Sequence, residues 1–568
     1  MVVTLRPRSP HTAMHSVATP GTERTCTRVA TNRDRSLLTG MVIVVGAGLA
    51  GLTAAIHLAE RGVEVVLCEA HPELLGGRTR ARAPYRFAWQ GAEHVHSFDH
   101  GQHCMWAQYW NMRALLQRLG IYDRSVRPCE TTRYLVDDGE TVHRLAPFDV
   151  NPAKVQPSLL HFFLHMANAM RVPGWTAADS ARLVTALPKL LATSAFRHDG
   201  NYDEWDKLSV HELFAWIGLP PQMDQIFKSM CKASTFHPHT EISASWGLSM
   251  METTMIGHPE DHKMSCFRAD LGTSLIDPLA AALRARGGRI LRNATAVDVV
   301  RDGDRIVAVD FEPTVGRPPN PGDEALAQPA RLACDAVVSA TDIPGFQRWL
   351  LPSLADVGEI RATANLEAVG SMTIRVVTAR PVRAGDPWMG IFSGRFKTLD
   401  TYFILSRYQD EFMRFRERTG GEVIELHSYI ASRELAASTP AVVRELVEAE
   451  LVRAWPELAE QIVHVEYADN ERTFDKQGVG HRQFQPGMRT AVPNLVLCGS
   501  WIKTDEAVHD MEKAVVTGMR AANALLETEG RLPFAVVPLR PRSILQRLST
   551  RLGRRLLPAP PTVRALRG

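Results

Sequence analysis

VIVVGAGLAGLTAAIHLAERGVEVVLCEAHPELLGGR, residues 42–78, is the stretch whose reading decides the fold. Val42 to Val45 form a β-branched apolar run of the kind buried on both faces of a parallel sheet. Gly46, Gly48 and Gly51 follow at GxGxxG spacing. The first permits a tight turn, the second lets the backbone approach a pyrophosphate, and the third lets the next helix pack against the strand. From Leu49 onward, Leu52, Ala55, Ile56 and Ala59 recur at helical spacing, which predicts a helix whose free N-terminal N–H groups face the phosphates. Gly62 breaks that helix, and Val63 to Leu67 is a second buried strand leading to Glu69. A carboxylate there accepts hydrogen bonds from ribose hydroxyls and would repel a 2′-phosphate. The stretch therefore specifies a dinucleotide, NAD or FAD.

Gly76, Gly77 and Arg78, just beyond Glu69, resemble the extension shared by flavoproteins of the amine oxidase and carotenoid desaturase superfamily. In that family the glycines and the arginine touch the FAD pyrophosphate, so the resemblance implies FAD. Two further segments are similar to the family. GGRILRNATAVDVV with DGDRIVAVDF resembles its strand pair, implying that the backbone near Val297 approaches the adenine. PNLVLCGSWIKTDEAVHDMEKAVVTGMRAANALL, residues 493–526, resembles the closing strand, turn and helix, implying that Gly499, Ser500 and Met511 lie against the ribityl chain and isoalloxazine. Where the family usually has Gly-Asp, this chain has Gly499-Ser500, so the acid that bonds the ribityl hydroxyl or phosphate is missing. Serine still offers one hydrogen bond.

The implied fold class is α/β: a Rossmann-like FAD-binding domain of the glutathione-reductase and amine-oxidase type, with an inserted α+β substrate domain. The expected boundaries are 41–125, 262–350 and 480–530 for the discontinuous FAD domain, and 126–261 with 351–479 for the substrate domain. Residues 126–260 carry long helical patterns, and 366–480 alternates as strands do. Met166, Met170, Trp205, Trp216, Trp246, Met250, Met251 and Met255 read as core more readily than as a substrate tunnel.

At 568 residues the chain exceeds one ordinary domain. No apolar run reaches the roughly 18 residues of a membrane span. Arginine outnumbers lysine 55 to 10, which reads as coding bias. Residues 1–40 carry +4 and residues 531–568 carry +9 against a chain total of +3, so residues 41–530 carry −10. An acidic body with basic ends argues against a nucleic-acid partner. The eight scattered cysteines, with no CxxC pair and no signal peptide, suit reduced cytosolic thiols. Residues 1–40 lack periodicity and read as a disordered extension; their composition also fits a transit peptide, and Met41, directly against the first strand, is an alternative start.

Within the superfamily, DHGQHCMWAQYWNMRALLQRLGI (99–121) and AVHDMEKAVVTGMRAAN resemble the isorenieratene synthases, carotenoid β-ring desaturases that also shift a methyl group. Hydroxysqualene dehydroxylases share the shorter Gly101 to His103 element. The resemblance implies an FAD-dependent oxidoreductase that desaturates an apolar isoprenoid, a carotenoid, by hydride transfer to flavin N5. His103 is the first candidate for proton acceptor and His100 the second, although both also read as residues that shape the flavin pocket. Alternatives are a flavin amine oxidase or another natural-product oxidase with a polar substrate, a hydroxysqualene-type dehydroxylase, or a non-catalytic flavoprotein or lipid carrier. His94, His96, His100 and His103 have spacings at which imidazoles share an ion, but Cys104 is the sole cysteine at ligand distance, so no metal is expected. In PRSILQRLSTRLGRRLL (541–557), Ile544, Leu545, Leu548, Leu552 and Leu556 fall on one face, with Arg547, Arg551, Arg554 and Arg555 largely outside it. This is the pattern of a helix lying on a membrane, implying a cytoplasmic protein held peripherally at the inner face, or else a tail docked on its own protein.

Overall fold

The computed structural model describes residues 40–129, 133–145, 172, 174–253, 263–316, 324–538 and 544–556. Residues 1–39, and with them the reading of a disordered or targeting extension, lie outside the described residues, as do Met166, Met170 and Met255.

A six-stranded parallel sheet orders its strands 324–325, 289–292, 64–68, 41–45, 336–339 and 495–497. The strand Met41–Val45 lies at the centre, paired with Glu64–Cys68 on one side and Ala336–Ser339 on the other. Its residues Val42 to Val44 are wholly buried, as continuous β-branched runs between helical layers should be. Leu49–Glu60 is the first helix, and Gly51 seats it: a Cβ at that position would lie 1.9 Å from the Gly46 carbonyl oxygen. Asp510–Thr528 packs across it at Gly518, where a Cβ would come within 2.5 Å of the Ala50 carbonyl.

A seven-stranded sheet orders its strands 462–475, 368–378, 422–428, 401–404, 389–394, 133–137 and 142–145. Its pairs are antiparallel except 389–394 with 133–137. The last two strands fall in the stretch whose periodicity reads as helical. The local cause is the Asp137-Asp138-Gly139 turn, in which Asp138 Oδ1 accepts from the N–H groups of Glu140 and Thr141 at 2.8 Å each. The helices that do occur there, including Val210–Ile217, Pro221–Thr235 and Ala244–Met251, bury Trp205, Trp246, Met250 and Met251 in one cluster, with Trp216 packed at its edge.

A small sheet, Cys104–Trp106, Met264–Phe267 and Val126–Pro128, corrects the expectation of reduced thiols. Cys104 lies opposite Cys266, and Cys129 is disulfide-bonded to Cys266 with Cα atoms 5.8 Å apart. Cys104 Sγ is 3.6 Å from Cys266 Sγ. Sequence spacing could not show this, because the sheet joins positions 137 residues apart. Cys68, Cys104, Cys231, Cys334 and Cys498 are free.

The C-terminal helix Ile544–Leu556 packs on the helix Ala177–Thr193 and the turn after it through Gly553, where a Cβ would meet the Leu191 carbonyl at 2.8 Å. Leu548 and Leu552 face away and are 51% and 46% exposed. Among the described residues no helix is long and apolar enough to cross a membrane.

Candidate active site

A cavity of about 930 Å³ runs from the glycine turn after the first strand to the wall of the seven-stranded sheet. Gly46, Gly48, Glu69, Gly76, Gly77, Arg78, His100, His103, Val297, Gly499, Ser500 and Met511 all line it. Gly51 does not, since its place is in the helix–strand contact behind the turn.

The dinucleotide end is built from backbone. Gly46 turns at φ +101°, and its N–H donates to the Cys68 carbonyl at 2.8 Å. Gly48 pairs with Gly76, whose N–H donates to the Ala47 carbonyl at 2.9 Å, so the two glycine turns form one cradle. Glu69 is fixed by N–H groups from Ala47 and His71, at 2.9 Å each. Burial pushes its carboxyl up, and those two hydrogen bonds oppose the push. Between Ala296 and Asp298 the strand register slips, which leaves Val297 without a ladder partner. A bulge of this kind frees backbone N–H and C=O groups for a base edge.

At the other end, Ser500 has a carboxylate after all. Ser500 Oγ donates to Asp475 Oδ1 at 2.8 Å, Arg78 Nη1 donates to the same oxygen at 2.8 Å, and Arg78 Nη2 donates to Ser500 Oγ. Gln477 Nε2 holds the second oxygen at 2.6 Å. Burial would raise the Asp475 carboxyl, but Arg78 and Lys513 outweigh it and hold the group below the usual range. The acid missing after Gly499 is thus supplied from the end of the strand Ile462–Asp475, which no motif in the closing segment reveals.

The segments at 99–121 and 507–523 bond to each other. Glu512 Oε1 accepts from the backbone N–H and side chain of Asn111, at 2.8 and 2.9 Å, and Oε2 accepts from the Met112 N–H at 2.9 Å. Those N–H groups are orphan donors in the first turn of the helix Trp110–Arg118, so Glu512 caps it from outside. The capped helix fixes Tyr109, whose hydroxyl donates to Asp510 Oδ2 at 3.4 Å. Burial, with Asp475 nearby, pushes Asp510 up to about 6.

The remaining wall is apolar and aromatic. Phe236, Tyr429 and Phe474 line it, with ring centroids 4.5 Å apart for Phe236 and Tyr429 and 4.1 Å for Phe236 and Phe474. Phe236 ends its helix at φ +62°, a conformation that costs a bulky residue roughly 1–3 kcal/mol. His103 Nδ1 bonds the Gly101 carbonyl at 2.6 Å, and burial lowers its imidazole to about 4. His100 is lowered further, chiefly by burial. His94 and His96 point elsewhere, stacked among Phe87, Phe412 and Phe415.

The residues present fit FAD. His100 Nδ1 is buried with no hydrogen-bond partner among the described residues, Val297 lies at the strand bulge on the cavity wall, and a Cβ at Gly48 would enter the cradle 3.8 Å from the Gly76 carbonyl. Gly48, Gly76, Gly77 and Arg78 would hold the pyrophosphate, Glu69 the adenosine ribose, Val297 the adenine, and Gly499, Ser500 and Met511 the flavin half. When bound, FAD supplies a two-electron acceptor. The chain's own part is to orient, to exclude water and to take up a proton.

Fold and cavity together define a FAD-dependent oxidoreductase. The family model described as flavin containing amine oxidoreductase matches residues 49–526, and the chain belongs to that family. The carotenoid phi-ring synthase of Streptomyces griseus is 27% identical over 524 residues, covering 90% of this chain and 93% of that protein. The carotenoid phi-ring synthase of Chlorobaculum tepidum is 22% identical, with 88% and 90% covered. Among solved structures, cyclohexylamine oxidase from Brevibacterium oxydans shares the fold at TM-score 0.59 and 15% identity, over 86% of this chain and 99% of that one.

The sequence reading missed Asp475, Asp510 and the polar side chains on the sheet wall. A signal for the last was present: Arg375 in SMTIRVVT and Glu425 in VIEL are charges set inside apolar strand runs.

Proposed function

We propose that the protein oxidises the end ring of a carotenoid, removing hydrogen from ring carbons with FAD as acceptor. The observation that carries this reading is the aromatic wall continuous with the dinucleotide cradle, and the likeness to two carotenoid phi-ring synthases supports it. An amine oxidase needs two facing rings with room for an amine between them. Phe236 and Phe474, with centroids 4.1 Å apart, touch each other instead and present a wall suited to a hydrocarbon ring.

Access from a membrane surface belongs to the same proposal. Leu548 and Leu552 are exposed on a helix whose Arg547, Arg551, Arg554 and Arg555 are also exposed, the composition of a peripheral membrane contact. Vesicles containing anionic phospholipid should sediment the wild-type protein and release a Leu548→Asp, Leu552→Asp double variant. Equal sedimentation of the two would remove the tail from the proposal.

The central test is anaerobic. The purified protein, loaded with FAD, is mixed with a carotene bearing a β-ring in mild detergent, and reduction of the flavin is followed by loss of its visible absorption after the carotene spectrum is subtracted. Bleaching with a matched change in the polyene spectrum is the expected result, and no bleaching with any carotene would refute the substrate assignment.

A further inference from the structure

On the sheet wall of the cavity a buried polar chain runs from Arg375 to Thr401. Arg375, on the strand Ala368–Thr378, lies opposite Glu425 on the strand Glu422–Ser428, and its Nη2 donates to Glu425 Oε2 at 2.6 Å. Glu425 Oε1 meets His427 Nε2 at 2.7 Å and also accepts the Gln102 N–H at 2.5 Å. His427 Nδ1 meets the Tyr429 hydroxyl at 2.9 Å, and that hydroxyl meets Thr401 Oγ1 at 3.1 Å. His427, Tyr429 and Thr401 line the cavity. Behind them Arg375 and Glu425 have 1% and 0% side-chain exposure, and the guanidinium lies over the rings of Phe98 and Phe412.

The hydrogen bonds fix the direction of proton flow. Glu425 is wholly buried, which alone would raise its carboxyl, but Arg375 holds it below the usual range, so it is a carboxylate. A carboxylate can only accept, so the Nε2–H of His427 donates to it, while the Gln102 N–H, 3.3 Å from that nitrogen, points to the same carboxylate oxygen; the relay uses the tautomer in which Nδ1 keeps the lone pair. Tyr429 therefore donates to Nδ1, and Thr401 donates to Tyr429. One lone pair on the Tyr429 oxygen is left for the cavity. This is the order of an oriented base, with a carboxylate behind an imidazole behind a hydroxyl. His100 and His103 face the same cavity without a hydrogen-bonded carboxylate among the described residues.

We propose that Tyr429, His427 and Glu425 are the proton-accepting relay of this cavity. The proposal rests on the carotenoid-ring reading and deepens it by naming the base. In the step, FAD held in the cradle would supply the acceptor for the hydrogen and bonding pair of one ring C–H bond, and the chain's own residues handle the proton that follows. The carbon left electron-poor makes the neighbouring C–H acidic. That hydrogen leaves as a proton to the Tyr429 oxygen while the tyrosine's own proton moves to His427 Nδ1, and the released C–H pair becomes the new C=C bond. The imidazolium so formed is neutralised by Glu425 and returns its proton through Tyr429 to water as product leaves.

The test compares wild type, Tyr429→Phe and His427→Gln. Tyr429→Phe keeps the ring against Phe236, so FAD content and carotene binding, read from the polyene spectrum of the protein before reduction, should match wild type. Its anaerobic flavin reduction should fall about 10²- to 10⁴-fold, the range that a general base contributes. ¹⁵N-histidine NMR supplies a readout independent of turnover: the Nδ1 resonance assigned by loss in His427→Gln should be that of an acceptor nitrogen, and Tyr429→Phe should move it. If wild type bleaches with carotene and Tyr429→Phe bleaches equally fast, the relay is overturned while the substrate assignment stands. If wild type does not bleach, the substrate assignment fails first, and an Nδ1 resonance unmoved in Tyr429→Phe would overturn the relay on its own.

Discussion

Replacing Ser500 by aspartate restores the Gly-Asp pair usual in the family, yet in this chain it should do harm. Ser500 Oγ already sits 2.8 Å from Asp475 Oδ1, with Arg78 bonded to both. A second carboxylate there would lie about 4 Å or less from the first. Two like charges at 4 Å in an effective dielectric near 20 repel by about 4 kcal/mol, and Arg78 and Lys513 already act on Asp475 without a second acid. Taken wholly from cofactor binding, that is about a 10³-fold loss; relaxation and water reduce it to about 10- to 100-fold. Ser500→Asp should therefore bind FAD more weakly than wild type at pH 8 and less so at pH 5.5, where one carboxyl takes a proton. The exchange Asp475→Ser with Ser500→Asp, which keeps one acid in the triangle, should recover most of the affinity. Quenching of flavin fluorescence on titration into apoprotein reads wild type, Ser500→Asp, Asp475→Ser and the exchange variant. Full affinity in Ser500→Asp at both pH values, together with an exchange variant no better than the sum of its parts, would refute the reasoning.

Gly51→Ala forces a Cβ to within 1.9 Å of the Gly46 carbonyl, so the helix must retreat by more than 1 Å; loss of bound FAD and a stability loss of about 1–3 kcal/mol should appear in flavin content and thermal unfolding. Burial lowers His57, His103, His237 and His239 to about 4, and His96 and His509 to about 3, so the unfolded chain binds more protons between those values and its ordinary value of 6.5. Their contribution to stability is complete above pH 6.5 and is lost as pH drops toward 4, opposed near pH 6 by Asp206 and Asp510, which burial raises to about 6; six histidines outweigh these two acids, so a melting temperature that rises from pH 7 to 5 would contradict the burials. Cys129→Ser opens a link spanning 137 positions, and the chain-entropy model assigns about 4–5 kcal/mol to a loop of that order. Unfolding with and without reductant measures it, and peptide mapping should recover Cys129 joined to Cys266.

What the sequence made legible is what the backbone does. Gly46, Gly51, Gly76 and Gly77 are dictated by turns and close approaches that few other residues tolerate, so their spacing, with Gly48 between them, located the cradle, with Glu69 and Arg78 at its ends. Side chains that meet across the fold left no such trace. Asp475 reaches Ser500 from the end of a strand, Glu512 caps a helix 400 positions away, and Cys129 finds Cys266 through strand pairing. The Asp137–Gly139 turn joins two strands inside a stretch whose apolar pattern reads as helical, so neither strand was found. Arg375 and Glu425 look like interruptions of two strands until register sets them opposite one another.

The parallel sheet also imposes a timetable. Cys68 ends the second strand, whereas the edge strand begins at Leu495, 427 positions later by subtraction. At roughly 5–20 residues per second on the ribosome, the first strands wait about 20 to 85 seconds for the segment that closes their sheet. During that interval the glycine cradle is exposed without Ser500, Met511 or the helix that seals it. Flavin capture is therefore a late event in the birth of this protein, and the unpaired edge of Ala336–Ser339 is the surface a nascent chain most needs to shield.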